Sequence, residues 1–207
     1  MAETVTVDHS QSGEQDHILA WADTLDGPGR WLDIGAADGV TASNTRALAL
    51  RGWAGVAVEP AALLFDRLAT TYTTRDNIEC VQAAVTADVP RALVRFYYSH
   101  DLVSTTQTEN ADTWEELTSF TECWVAAITV EQLLAFLPGP YQMASIDTEG
   151  TSIEIFNALR ELDAFPRGAL VVVEAEDGGE RFEIQQACLE GWARTAVTPN
   201  NVLLERL

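Results

Sequence analysis

The sequence predicts a single α/β domain over residues 1–207: a mostly parallel seven-stranded sheet with helices on both faces and a C-terminal antiparallel hairpin. Three observations predict it. Short strand-like runs alternate with helix-period stretches from residue 31 to residue 84, the signature of βα units. The runs are apolar on consecutive positions, as strands covered on both faces require. The chain then closes with two strand-like segments, 193–197 and 202–206, around the turn Thr198-Pro199-Asn200-Asn201.

Each element follows from its punctuation. Residues 1–9 are polar and read as a loose end. Residues 18–25 form an amphipathic stretch behind Ser10-Gln-Ser-Gly-Glu-Gln-Asp16 and read as a helix capped by acidic side chains. The first strand, 31–34, is bounded upstream by Asp26-Gly27-Pro28-Gly29, and a helix is expected over 41–50, stopped at Gly52. A strand over 54–59 closes at Pro60, a helix follows over 61–70, and the third strand spans 78–84. Residues 92–99 alternate like a strand. Residues 100–121 are polar, with Trp114 as their large anchor, and read as a substrate-covering loop. A strand over 124–129 leads into a helix with Thr129 at its N-cap, ended by Gly139-Pro140. Strands over 141–146 and 169–173 flank a helix over 152–162, and a last helix is expected over 180–191.

Composition narrows the classes of function. The chain carries 32 acidic and 12 basic residues, a net charge of −20, and every basic residue is arginine. That balance opposes a phosphate backbone, so the expectation is a protein with no nucleic-acid partner. Three cysteines (Cys80, Cys123, Cys188) without a C-x-x-C pair read as reduced thiols rather than a disulfide frame or a zinc site. No apolar run approaches membrane-spanning length, and the N-terminus has neither the basic region nor the apolar run of a signal peptide. The expected location is the cytoplasm, with no membrane contact.

The chemistry centres on Asp33-Ile-Gly35-Ala36-Ala37-Asp38-Gly39. A strand that stops at small residues and opens a helix offers bare amides and a positive helix end to a ligand. The spacing is D-x-G-x-x-x-G, not the G-x-G-x-x-G that clears room for a pyrophosphate, and no lysine exists to serve a P-loop. Asp33 and Asp38 would repel a pyrophosphate but suit a cation. S-adenosylmethionine, with its sulfonium and ammonium, fits that preference. The rival classes are a nicotinamide-dependent oxidoreductase, which the glycine spacing disfavours, and a non-catalytic domain that keeps the cofactor fold.

Acidic residues recur where strands end: Asp33, Glu59, Asp147, Glu149, Glu174 and Glu176. In an open α/β sheet that edge is where ligands bind. Glu59, at the end of the second strand, is placed to accept both ribose hydroxyls, against the plainer role of a helix-start carboxylate. Asp147 could take a proton from a substrate hydroxyl, or hold a hard divalent cation such as magnesium with Glu174 as partner; helix capping by Asp147 or Thr148 is the alternative. His100 is a second candidate base, since histidine titrates near neutrality.

With those residues in hand, the sequence resembles the FkbM-type methyltransferases, a branch of the class I S-adenosylmethionine-dependent enzymes. The carriers are Trp31-Leu-Asp-Ile-Gly-Ala-Ala-Asp-Gly-Val-Thr41, Ser43-Asn44-Thr45, Gly52-Trp-Ala-Gly-Val-Ala-Val-Glu59-Pro60, Asn77-Ile-Glu-Cys-Val-Gln-Ala-Ala-Val85, Val125-Ala-Ala-Ile-Thr-Val-Glu-Gln-Leu-Leu134 and Ser145-Ile-Asp147-Thr-Glu149-Gly150. The resemblance implies a Rossmann-like methyltransferase fold. It implies cofactor contacts at Asp33, Gly35, Ala36, Gly39 and Glu59, with Ala83 and Ala84 near the adenine, and Asp147 and Glu149 facing the acceptor. It implies methyl transfer to oxygen on a sugar, glycan or small metabolite. Residues 10–16 resemble the family's S-Q-x-G-(E/Q)-D opening with one extra residue, leaving Gln11 and Gln15 as alternatives for its glutamine. The stretch 100–121 matches loosely.

Overall fold

The structure, a computed structural model, describes residues 7–87, 92–99, 104–108, 112, 118–175, 181, 184–186 and 190–207. The expected helix over 180–191 and the residues His100, Trp114, Glu176 and Cys188 lie wholly or in large part outside them.

In chain order the elements are α1 (Glu14–Ala22), β1 (Arg30–Ile34), α2 (Arg46–Leu50), β2 (Ala54–Val58), α3 (Ala62–Tyr72), β3 (Ile78–Val81), β4 (Ala84–Thr86), β5 (Leu93–Tyr98), β6 (Thr121–Thr129), α4 (Val130–Phe136), β7 (Met143–Ile146), α5 (Ser152–Glu161), β8 (Leu170–Glu174), β9 (Trp192–Val197) and β10 (Asn201–Arg206). The main sheet has seven strands in the order β3-β2-β1-β7-β8-β10-β9. The pairs β1–β2, β2–β3, β1–β7 and β7–β8 are parallel, and the closing hairpin β9–β10 joins β8 antiparallel. This is the Rossmann-like methyltransferase fold. The strand order reverses between β1 and β7, which places the ligand edge beyond their carboxyl ends.

The period-2 alternation of the strands builds two cores. Leu32, Ile34, Val56, Ile146 and Val171 face one way and pack with Phe156 and Leu159 of α5. Trp31, Ala57, Met143 and Val172 face the other, against Ile18 of α1, Leu48 of α2 and Leu68 of α3. Each strand is therefore apolar on both faces, which is why its sequence reads as a continuous run.

A second, three-stranded sheet, β4-β6-β5, was not separable from the first in the sequence. The expected strand 78–84 splits at Gln82 and Ala83: β3 ends at Val81, and β4 leaves to pair in parallel with β6. β6 begins at Thr121 and pairs antiparallel with β5 over Leu93–Tyr98. Thr129 caps α4 as expected, accepting from the Gln132 amide at 3.1 Å while the Gln132 side chain accepts from the Thr129 amide at 2.9 Å. Helix α1 starts earlier than expected, at Glu14, and has no side-chain cap. Among the described residues no helix is long and apolar enough to cross a membrane.

Trp31 sets one constraint on the sheet. It is fully buried, and its register partner on β2 is Gly55. A Cβ on Gly55 would lie 2.1 Å from Trp31 Cε2. Gly55→Ala is expected to cost about 1–3 kcal/mol or more through overpacking, read as a lower urea midpoint with an unchanged m-value.

Candidate functional site

A cleft enclosing about 880 Å³, open solvent included, runs along the carboxyl edge of β3, β2, β1 and β7. Its floor exists because two chain segments touch. Asp147 donates its amide to the Ile34 carbonyl at 2.9 Å, and a Cβ on Gly35 would stand 1.7 Å from the Asp147 carbonyl oxygen. Gly35 also has φ +85, so both space and backbone conformation demand glycine.

The loop after β1 differs from expectation in two respects. Its amides are not bare: Gly35 and Ala36 both donate to the Val58 carbonyl at 3.0 Å, and Ala37 donates to Glu59 Oε2 at 2.9 Å. No helix opens at Thr41 either, because α2 begins only at Arg46 and is five residues long. The Asp38 side chain explains the delay. Its Oδ1 accepts from the Val40 and Thr41 amides at 2.9 and 2.7 Å, and Ala37 and Ala42 have positive φ, which an α-helix excludes. The loop therefore shapes the cleft without presenting an anion-binding helix end.

Asp33, Glu59, Asp147 and Glu149 gather along this wall. Asp33 is 4% exposed and accepts from Thr45 Oγ1 at 2.5 Å; burial pushes its carboxyl up to about 6. Glu59 is 5% exposed, and burial, with the Asp33 charge adding, pushes it up to about 7 against the opposing amide bonds. Its Oε1 accepts from the Ala61 amide at 2.7 Å, so it holds the start of α3 as well as the β1 loop. Each carboxylate oxygen keeps acceptor capacity beyond those bonds. Asp147 sits well above the usual carboxylate range because of desolvation first, then the charges of Glu174 and Glu149. Ala83 and Ala84 form the wall beyond Glu59. Gly39 is not part of the wall: a Cβ there would meet Leu68 and Tyr72, so it serves close packing under α3.

Glu149 occupies a strained turn, with φ +53. Two elements hold it. Glu174 Oε2 accepts from the amides of Thr148 and Glu149 at 3.2 and 3.0 Å and from Ser152 Oγ at 2.7 Å. Thr105, from the expected covering loop and fully buried, donates to the Glu149 carbonyl at 2.6 Å. The N-cap of α5 is Thr151, which makes no side-chain capping bond to the helix amides, so neither Asp147 nor Thr148 caps that helix. Asp147, Glu149 and Glu174 each bring a carboxylate oxygen within 4.8 Å of the others.

Sequence reasoning assigned no role to Ser43, Asn44 and Thr45, although it singled out the tripeptide. Ser43 and Asn44 line the cleft and Thr45 reaches Asp33. Phe96, Ser104 and Thr106 complete the far wall. At the N-terminus Gln11 is exposed, while Gln15 is buried and spends its amide on the backbone of His9 and Val7. Glu14, fully buried, ties α1 to the closing hairpin through Thr198 and Asn201 at 2.5 and 3.0 Å.

No protein-family model and no curated protein matches the chain in sequence. Solved structures do match in fold. An O-methyltransferase from Bacillus cereus in complex with SAH superposes with TM-score 0.56 at 11% identity, covering 97% of this chain and 84% of that one. An rRNA methylase from Streptococcus thermophilus superposes with TM-score 0.53 at 13% identity, covering 93% and 95%. The second overturns the exclusion drawn from net charge. The same fold occurs in a protein named for RNA, so an acidic balance does not remove nucleic acid from the acceptors open to this chain. A net charge describes the whole surface, whereas an acceptor meets only the few side chains around one cleft.

Two outcomes follow from the geometry. Gly35→Ala is expected to abolish ligand binding in the cleft and to lower stability by more than about 3 kcal/mol, measured by calorimetry and urea unfolding. The raised carboxyls make the ligand-free protein lose stability as pH rises. Between their unfolded values, 3.8 and 4.5, and their folded values near 6 and 7, the folded chain holds more protons than the unfolded one. Stability should therefore fall from about pH 4 to pH 7, and Glu59→Gln should flatten the upper half of that fall in a urea series.

Proposed function

We propose that the chain is an S-adenosylmethionine-dependent methyltransferase of the FkbM type, acting on a hydroxyl of a sugar, a glycan or a small metabolite. The observation that carries the reading is the continuous cleft wall. Ala83 and Ala84 stand at one end, Glu59 in the middle, the side-chain-free Gly35 next, and the paired acids Asp147 and Glu149 at the other end. That order matches an adenine, a ribose and a sulfonium-bearing tail. The cofactor supplies an electrophilic methyl group on a positive sulfur.

The chain's own residues do the rest. Glu59 accepts ribose hydroxyls with the lone pairs its two amide bonds leave free. Buried carboxylates favour a cation over a neutral ligand, since each regains a counter-charge in a site of low dielectric. Asp147 in its ionised form, made more basic by burial and by the charges of Glu174 and Glu149, takes the proton of an acceptor hydroxyl as the oxygen attacks, and the turn held by Glu174 and Thr105 sets the position of Glu149 beside it. Alignment of donor and acceptor is the larger contribution, worth about 7–11 kcal/mol in well-oriented systems. The oxygens of Asp147, Glu149 and Glu174 also suit a hard divalent cation that orients the acceptor hydroxyl, an arm of the same reading.

Calorimetry of S-adenosylmethionine and S-adenosylhomocysteine, with and without magnesium, tests the proposal. Both should bind, and Glu59→Ala should weaken both at least about tenfold. Asp147→Asn should keep cofactor affinity within a fewfold while turnover falls by about 10²–10⁴ on whichever hydroxyl acceptor a panel of sugars, metabolites and RNA identifies. An empty cleft at millimolar cofactor, or binding of reduced nicotinamide instead, overturns it.

A further inference from the structure

The geometry points to Asn44 as the residue that binds the α-ammonium group of the cofactor's amino-acid end, an inference that rests on the reading above. Asn44 is 6% exposed and stands in the cleft wall. Its side-chain nitrogen donates to Ser145 Oγ at 3.1 Å, which fixes the amide against β7. Its Oδ1 is buried and meets no donor. A buried acceptor left without a partner is costly, and it becomes favourable once a donor arrives.

Position selects the donor. Ser145 is the register partner of Asp33, so Asn44 sits over the border between β1 and β7. Glu59 lies on the far side of β1 from Ser145, and Ala83 and Ala84 lie beyond Glu59. A ligand with its ribose at Glu59 and its base at Ala83 therefore brings its third part, the amino acid, to Asn44. Of the groups on that part, only the ammonium donates hydrogen bonds, and the neighbouring carboxylates disfavour its carboxylate at the same place. Thr45, next in sequence, holds Asp33 at 2.5 Å and anchors the segment that presents Asn44.

Three probes separate the parts of the ligand: S-adenosylhomocysteine, its decarboxylated analogue, which keeps the amine, and 5′-methylthioadenosine, which lacks the amino acid. In titration calorimetry, Asn44→Leu should weaken the first two by about 10- to 100-fold and leave 5′-methylthioadenosine within twofold. Asn44→Asp, which keeps an acceptor, should bind the first two at least as tightly as the native protein. Thermal melts accompany each variant, and Asn44→Ala replaces the leucine if that variant melts early. Parallel weakening of all three probes, or undiminished binding of the decarboxylated analogue, overturns the assignment to the ammonium while leaving the cofactor reading intact. If the native protein binds 5′-methylthioadenosine and Glu59→Ala does not weaken it, the ribose reading falls, and this inference falls with it.

Discussion

The structure depends on the contact between the end of β1 and the end of β7. Gly35 has no side chain, and the Asp147 carbonyl fills the place where one would be. That single absence lets two parallel strands on opposite sides of the order reversal finish side by side. Everything at the edge is placed from there. Asp147 enters its turn directly above the contact, and the Gly35 and Ala36 amides turn back onto Val58, drawing β2 and Glu59 to the same wall. A side chain at Gly35 would pry the strands apart at the floor of the cleft.

The same closeness creates an electrostatic cost. Burial favours the uncharged form of Asp33, Glu59 and Asp147, and like charges add to it: Asp33 acts on Glu59, and Glu174, Glu149 and Asp33 act on Asp147. Among the described residues that line the wall there is no arginine. The compensation present is made of hydrogen bonds, from Thr45 to Asp33, from the Ala37 and Ala61 amides to Glu59, and from Thr148, Glu149 and Ser152 to Glu174. Such bonds hold the carboxyl groups in place without supplying positive charge.

Much of this was legible in the sequence, and the parts that were not share a cause. The strands expected over 31–34, 54–59 and 169–173, found at Arg30–Ile34, Ala54–Val58 and Leu170–Glu174, could be read because burial on both faces leaves an uninterrupted apolar run. The Thr129 cap was legible because capping is local, a matter of residues three apart. The start of α2 was misplaced by a side chain: Asp38 bonds the next amides and replaces helix with turn, which residue composition does not reveal. The departure of β4 from β3, and its pairing with β6 more than forty residues on, is a non-local choice with no periodic signal. Glu174 was seen as an acid at the right edge, but its three bonds to the turn after β7 belong to the fold rather than to the sequence.

The acids at the edge divide the labour by what surrounds them. Glu59 and Glu174 are both glutamates at strand ends, yet each spends oxygens on backbone amides and so fixes a loop. Asp147 and Glu149 are carried on the loop that Glu174 fixes, and Thr105 bonds to the same loop at the Glu149 carbonyl. The strained φ of Glu149 is maintained by those two anchors, one from the rigid sheet and one from the segment that follows β5. A residue kept in such a conformation from two directions has its side chain aimed by the fold rather than by its own preference. That arrangement costs stability, and it gives the far end of the cleft a pair of carboxyl groups whose backbone is held in place.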